Sequence, residues 1–130
     1  MKSQKKSEMK WTVTKAFTFE AAHSLPHLPL GHKCRNLHGH SYRIVVGCSK
    51  WALDDRNFVI DYAELSQVLD PIIARLDHQN LNEILPFRTT AENLAAWLYN
   101  KLSRELPVDF VEFYETAKTC VRVERKKNEP

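Results

Sequence analysis

Gly31-His32-Lys33-Cys34-Arg35-Asn36-Leu37-His38-Gly39-His40 is the stretch from which the rest of the chain can be read. Three imidazoles and a thiol fall within it, where a connecting loop ordinarily carries Gly, Asn, Asp and Ser. His38 and His40 lead into a run in which Tyr42, Ile44, Val46 and Cys48 alternate with Ser41, Arg43, Val45 and Gly47. Residues two apart on a β-strand project to one face, so the two imidazoles are expected side by side. Upstream, Val13, Phe17, Phe19 and Ala21 share the parity of His23, which places a first strand over Trp11–His23. Pairing the two strands antiparallel, with residues 24–37 as the connecting loop, brings His23 across from His38 and His40. Three histidines with an open fourth position make up the usual donor set of a catalytic zinc site, whereas closed structural sites take four ligands, mostly Cys. An H-x-H pair alone fits an accidental pair in a hairpin equally well; His23 and Cys34 together point to a metal site. Cys34 lies on the loop, and whether it serves as a fourth ligand stays open at this point.

The surrounding composition narrows the class. A chain of 130 residues, 43% apolar and 27% charged, fits one soluble globular domain with a core of its own. No apolar run approaches membrane-spanning length, and Met1–Lys10 has lysines without an apolar stretch behind them, so neither an anchor nor a signal peptide is expected. Cys34, Cys48 and Cys120 are odd in number and widely spaced, which implies free thiols in a reducing cytosol. The net charge of +3 resides in the tails, with four Lys in residues 1–10 and four Lys or Arg in residues 122–130. The body between them carries more acidic than basic side chains. A nucleic-acid module would carry its basic face on the folded body, so no nucleic-acid partner is expected.

After the second strand, which should run to about Trp51, Asp54, Asp55 and Asn57 form a turn and Phe58–Ile60 resumes an extended segment. Asp61 is placed to cap a helix whose Leu65, Val68, Leu69, Ile72, Ile73 and Leu76 follow helical spacing, with Pro71 expected to bend it. Thr89-Thr90-Ala91-Glu92 has capping-box spacing, with Thr89 as the cap. Leu94, Trp97, Leu98 and Leu102 then form one apolar stripe. Val108–Glu115 and Lys118–Arg125 alternate again about Thr116-Ala117. The order strand, strand, helix, helix, strand, strand implies an α+β domain, a four-stranded antiparallel sheet with two helices on one face. Its exposed edges call for protection, which assembly with further copies would provide. The folded body is expected over residues 11–122, between a basic N-terminal tail (1–10) and a C-terminal tail (123–130).

Two more features carry chemistry. Asp77-His78 closes the first helix, and a carboxylate beside an imidazole can fix its tautomer and raise its basicity. Neighbours on a helix do not face each other, so the pair reads equally as a solvated helix end. Glu115 shares parity with Val111 and Phe113. A carboxylate among apolar neighbours is costly without a partner, which makes it either a ligand anchor or simply the exposed end of a strand.

Taken together, His23, Cys34-x-x-x-His38-Gly39-His40, Ile60-Asp61-Tyr62-Ala63-Glu64-Leu65, Leu76-Asp77-His78, Thr90-Ala91-Glu92-Asn93-Leu94 and Glu115-Thr116 resemble the 6-pyruvoyltetrahydropterin synthase superfamily, in the same order and over roughly residues 11–122. The short spacing from Cys34 to His38-Gly39-His40 resembles the branch of 6-carboxytetrahydropterin synthases of queuosine biosynthesis; the pyruvoyl synthases of animals have a longer gap. The resemblance implies a T-fold whose subunits close into an oligomeric β-barrel, as trimers or hexamers with sites at subunit interfaces. It implies Zn²⁺ on His23, His38 and His40, Cys34 as general base, and Asp77 and His78 as proton-transfer groups that reach the site from a neighbouring subunit. It also implies Glu115 as the anchor of a small-molecule pterin substrate. The implied reaction converts 7,8-dihydroneopterin triphosphate to 6-carboxytetrahydropterin, acetaldehyde and triphosphate. Lys33 and Arg35 are phosphate-binding candidates by charge. Arg35-Asn36 and Asn57 stand where relatives often have Gly. Two other readings compete: a pyruvoyl synthase using the same site, and a non-catalytic zinc- or pterin-binding protein with Cys34 as a fourth ligand. A cysteine hydrolase pairing Cys34 with His78 is a further alternative.

Overall fold

A computed structural model describes residues 8–126; the outer parts of the two expected tails, residues 1–7 and 127–130, lie outside the described residues. Strand β1 (Trp11–His23) and strand β2 (His38–Lys50) pair antiparallel along their whole length. The register sets His23 opposite His38 and Ala21 opposite His40. Alternation decides which face is inward: Phe17, Phe19, Ala21, Tyr42, Ile44, Val46 and Cys48 are buried, while Thr12, Thr14, Ala16, Thr18 and Glu20 are exposed.

Helix α1 (Tyr62–Leu76) starts as expected, with the Asp61 carboxylate accepting from the Ala63 N–H at 2.9 Å. It continues through Pro71 and buries Leu65, Leu69, Ile72 and Leu76. Two short elements follow that the sequence pattern does not announce. Strand β3 (Gln79–Asn80) runs parallel to β1 beside Ala21 and Ala22, and α2 (Leu81–Ile84) is a single turn. Among the described residues the sheet therefore has five strands rather than four, in the order β3-β1-β2-β4-β5, and there are three α-helices rather than two. Two polar residues and one helical turn are too short to carry periodicity, which is why they escape a reading based on it.

Helix α3 (Ala91–Leu102) is capped by Thr90, not Thr89: the Thr90 hydroxyl accepts from the Asn93 N–H at 3.2 Å. Thr89 is fully buried and turned toward His23, so the capping frame moves one residue along and Glu92 is left exposed in the first turn. Strands β4 (Val108–Thr116) and β5 (Thr119–Glu124) form the closing hairpin. The extended segment expected at Phe58–Ile60 is not a strand, although Val59 and Ile60 are buried in the core. Helix α1 packs on β1, and α3 packs on β4 and β5. A single apolar layer, including Leu65, Leu69, Leu94, Leu98 and Leu102, joins them to the inward face of the sheet.

On the opposite face, Phe110 lies over Gly47, its partner in the ladder, with the Arg122 guanidinium 3.7 Å from its ring centroid. A Cβ on Gly47 would overlap that ring, so the ring and the Arg122 guanidinium stacked on it would both have to shift. Gly47→Ala is expected to lower stability by about 1–3 kcal/mol through overpacking, measured by urea unfolding; an unchanged midpoint would refute this account of Gly47.

Candidate active site

Register and pleat bring His23, His38 and His40 to one end of the inward face. Their ring centroids lie 4.6, 5.1 and 4.9 Å apart pairwise, and their candidate ligand atoms are all within 4.8 Å of one another. The ring orientations come from main-chain carbonyls. His23 Nδ1 donates to the Thr89 carbonyl at 2.8 Å, and His38 Nδ1 donates to the Asn36 carbonyl at 2.8 Å. The Glu115 main chain supports the His40 ring. A carbonyl can only accept, so the hydrogen sits on Nδ1 of His23 and His38, and their Nε2 lone pairs are left to act as donors to a metal. His23 Nε2 is buried without a hydrogen-bond partner. The three histidines thus fit a metal ion, and among the described residues they form the cluster able to hold one. Burial is the main cause that lowers the His23 pKa to about 4, helped by the charges of His38 and His40 and opposed by the Thr89 carbonyl. His40 is lowered too, chiefly by burial and by His38. Neutral imidazole is the form that ligates.

Behind His23 lies a network that the sequence reading missed. The Thr89 hydroxyl is 3.2 Å from His23 Nδ1 and donates to Asn82 Oδ1 at 3.3 Å. Asn82 Oδ1 accepts from the Ser24 N–H, and its amide donates to the Ser24 carbonyl, each at 2.8 Å. Asn82 therefore holds both main-chain groups of the residue that follows His23. Its only sequence signal is a polar residue in the one turn of α2.

Cys34 is half-buried on a short 3-10 turn (Lys33–Arg35) and stands outside the histidine cluster. Its carbonyl accepts from the Leu25 N–H at 2.8 Å, which closes the loop at its base. Arg35 donates to the carbonyls of Pro26 and Leu28, so its charge serves the loop. Neither Arg35 nor Asn36 is left-handed, whereas Asn57 has φ +65°. The Gly that the resemblance leads one to expect is thus not required by the backbone at the first place, and at the second stands a residue that tolerates the left-handed region.

Asp77 and His78 do meet. Asp77 ends α1, and His78, at φ +59°, turns the chain so that its Nδ1 lies 2.9 Å from Asp77 Oδ2. Asp77 Oδ1 accepts from the Glu20 N–H at 2.9 Å. That bond first, and His78 second, hold the carboxyl below its usual range. The His78 side chain is 78% exposed.

Glu115 is not at a solvated strand end. Its Oε2 lies 3.4 Å from His23 Nε2 and 3.7 Å from His40 Nε2. Burial, and then the charge of Glu92, push its pKa up. Glu92 borders a small recess with Glu115 and Phe113; the sequence reading gave it only a capping role. A cleft of about 650 Å³ opens beside His40, Arg43, Tyr114 and Glu115. A second groove of about 410 Å³, lined by Trp11, Leu53, Phe58 and Tyr62, lies at the far end of β1.

Three imidazoles and a carboxylate at one end of a mainly antiparallel sheet backed by helices define an α+β protein with a cluster that could hold a metal ion. The family model described as 6-pyruvoyl tetrahydropterin synthase matches residues 12–126, and the chain belongs to that family of pterin-processing enzymes. It is 38% identical over 121 residues to 6-carboxy-5,6,7,8-tetrahydropterin synthase of Synechocystis sp., covering 88% of this chain and 92% of the relative. It is 33% identical over 104 residues to dihydroneopterin monophosphate aldolase of Pyrococcus furiosus, covering 78% and 82%. The structure of Caenorhabditis elegans 6-pyruvoyl tetrahydropterin synthase superposes with a TM-score of 0.80 at 26% identity, covering 91% of this chain and 97% of that one.

Because His23 is held neutral in the fold at about pKa 4, against 6.5 when exposed, the unfolded chain binds more protons between those values. Stability is therefore present above pH 6.5 and is lost as pH falls toward 4. Metal-stripped protein is expected to lose about 2 kcal/mol between pH 7 and pH 5 through this group, with a smaller loss in His23→Asn. Denaturant titrations that give equal losses for the two proteins would refute the assignment.

Proposed function

We propose that the chain is a zinc-dependent 6-carboxytetrahydropterin synthase, a carbon–carbon lyase of queuosine and 7-deazapurine biosynthesis. It would take 7,8-dihydroneopterin triphosphate and water to 6-carboxy-5,6,7,8-tetrahydropterin, acetaldehyde and triphosphate. The observation that carries this reading is the meeting of three metal-competent histidines with Glu115 at one end of the sheet. The likeness to the Synechocystis enzyme over 88% of the chain supports it.

His23, His38 and His40 hold the zinc, which when bound supplies Lewis acidity to the hydroxyls of the substrate's side chain. Glu115 accepts from the pterin ring N–H and the exocyclic amine, a paired charge-assisted contact that orients the ring. Cys34 takes a proton at Sγ from the activated side chain. His78, its Nδ1 held by Asp77, moves a proton at Nε2. The exposure of His78 suits service to the site of a neighbouring subunit, in a trimer or hexamer whose sheets close into a barrel. No helix of the described residues is long and apolar enough to cross a membrane. Cys34 lies outside the histidine cluster, which favours a base over a structural fourth ligand.

The likeness to the Pyrococcus aldolase and to the pyruvoyl synthase from Caenorhabditis supports a second reading, the same site with a different bond broken. Product analysis separates them: acetaldehyde with a 6-carboxypterin is expected from 7,8-dihydroneopterin triphosphate. A pyruvoyl product without acetaldehyde would move the chain to the pyruvoyl synthases. Cys34→Ala is expected to retain zinc and lose turnover by about 100-fold or more, whereas His38→Ala should lose zinc, both read by metal analysis beside the assay. A zinc-depleted Cys34→Ala protein would return Cys34 to the ligand set.

A further inference from the structure

Among the described residues, the buried side-chain polar atoms without a hydrogen-bond partner are His23 Nε2 and the Tyr42 hydroxyl. The nitrogen is accounted for by the metal site. The hydroxyl has no such account, although leaving a buried O–H unpaired is unfavourable. Tyr42 is fully buried, and the chain places Phe at comparable positions, Phe17, Phe19 and Phe113. A Phe at position 42 would fill the same space without that penalty.

Its surroundings indicate what the hydroxyl is for. Tyr42 follows His40 on the inward face of β2, where the ladder to β4 ends at Arg43–Tyr114, the residues next to Tyr42 and Glu115, and Tyr42 lies close enough to Glu115 to feel its charge. The ring stacks on Phe19, with centroids 4.8 Å apart and planes 14° apart. It meets edges of His40 at 5.3 Å and Phe113 at 5.4 Å. Packed on these sides, the phenol cannot swing to solvent. Tyr42 also lines the 650 Å³ cleft with His40, Arg43, Tyr114 and Glu115.

We propose that Tyr42 is a further substrate-positioning residue, whose hydroxyl donates to the Glu115 carboxylate when a pterin ring occupies the cleft; this rests on the reading of Glu115 as the pterin anchor. The Glu115 Oε2 leans toward the imidazoles in this structure. Turned to a ring in the cleft that both residues line, the carboxylate comes within reach of the phenol. Two oxygens offer about four acceptor sites, so a bond from Tyr42 leaves room for both N–H groups of the ring. An O–H donor to a carboxylate is among the stronger hydrogen bonds, and it would hold one rotamer of a side chain that is otherwise free to tilt.

The test is equilibrium binding of neopterin, followed by fluorescence, to the zinc-loaded parent, Tyr42→Phe, Glu115→Gln and the double variant. Tyr42→Phe is expected to weaken binding about tenfold, with zinc content unchanged and thermal midpoint equal or higher. In the Glu115→Gln background the same change should have little further effect, because the two groups act as a pair. Binding within twofold of the parent, additive losses in the double variant, or loss of zinc from Tyr42→Phe would each overturn the proposal. A parent that binds no pterin would remove the functional reading and this inference with it, whereas a parent that binds beside an unimpaired Tyr42→Phe removes this inference alone.

Discussion

The register between β1 and β2 is the constraint on which the site depends. Side chains alternate faces with period two, so a slip of one residue would send His38 and His40 to the outer face and leave His23 alone within. What prevents the slip is hydrophobic: it would also expose Tyr42, Ile44, Val46 and Cys48, all of which have no exposed surface. At roughly 1.5–3 kcal/mol for each large apolar side chain, the register is held by a free energy comparable to the total stability of most domains. The histidine cluster thus inherits its geometry from packing of the core along the strands rather than from contacts among the imidazoles alone.

The imidazoles gain their final orientation differently. Thr89 and Asn36 contribute carbonyls from two loops far apart in sequence, and Asn82 ties the first of these to Ser24. Such partners decide which nitrogen faces the metal. They act inside a region dry enough to depress the His23 pKa, where an unmet hydrogen bond costs more than it would in water.

These two levels differ in how far they can be read from the chain. Alternation over Trp11–His23 and His38–Lys50 states strand, face and partner at once, and the residues of the histidine cluster follow from it. The Asp61 cap is equally local. The frame at Thr89-Thr90 is not, because both residues can cap and the choice is made by His23, which lies 66 positions away. Gln79–Asn80 is a strand only because β1 is there to receive it. The contact between Asp77 and His78 needs a left-handed residue that no pattern of apolar spacing encodes. Glu92 was hidden by a capping motif that assigned it a sufficient local role. Backbone acceptors carry no residue identity, so carbonyl partners such as Thr89 and Asn36 leave no mark on the sequence.

The Arg35 fork has a consequence for the energetics of binding. The loop from Ser24 to Leu37 is closed at its base by the Leu25–Cys34 bond and again within by Arg35 on Pro26 and Leu28. Each closure divides the loop into shorter segments and removes conformers. The entropy lost in ordering the stretch that bears Cys34 therefore belongs to folding of the chain, and the thiol is pre-organised rather than left for a later contact to immobilise.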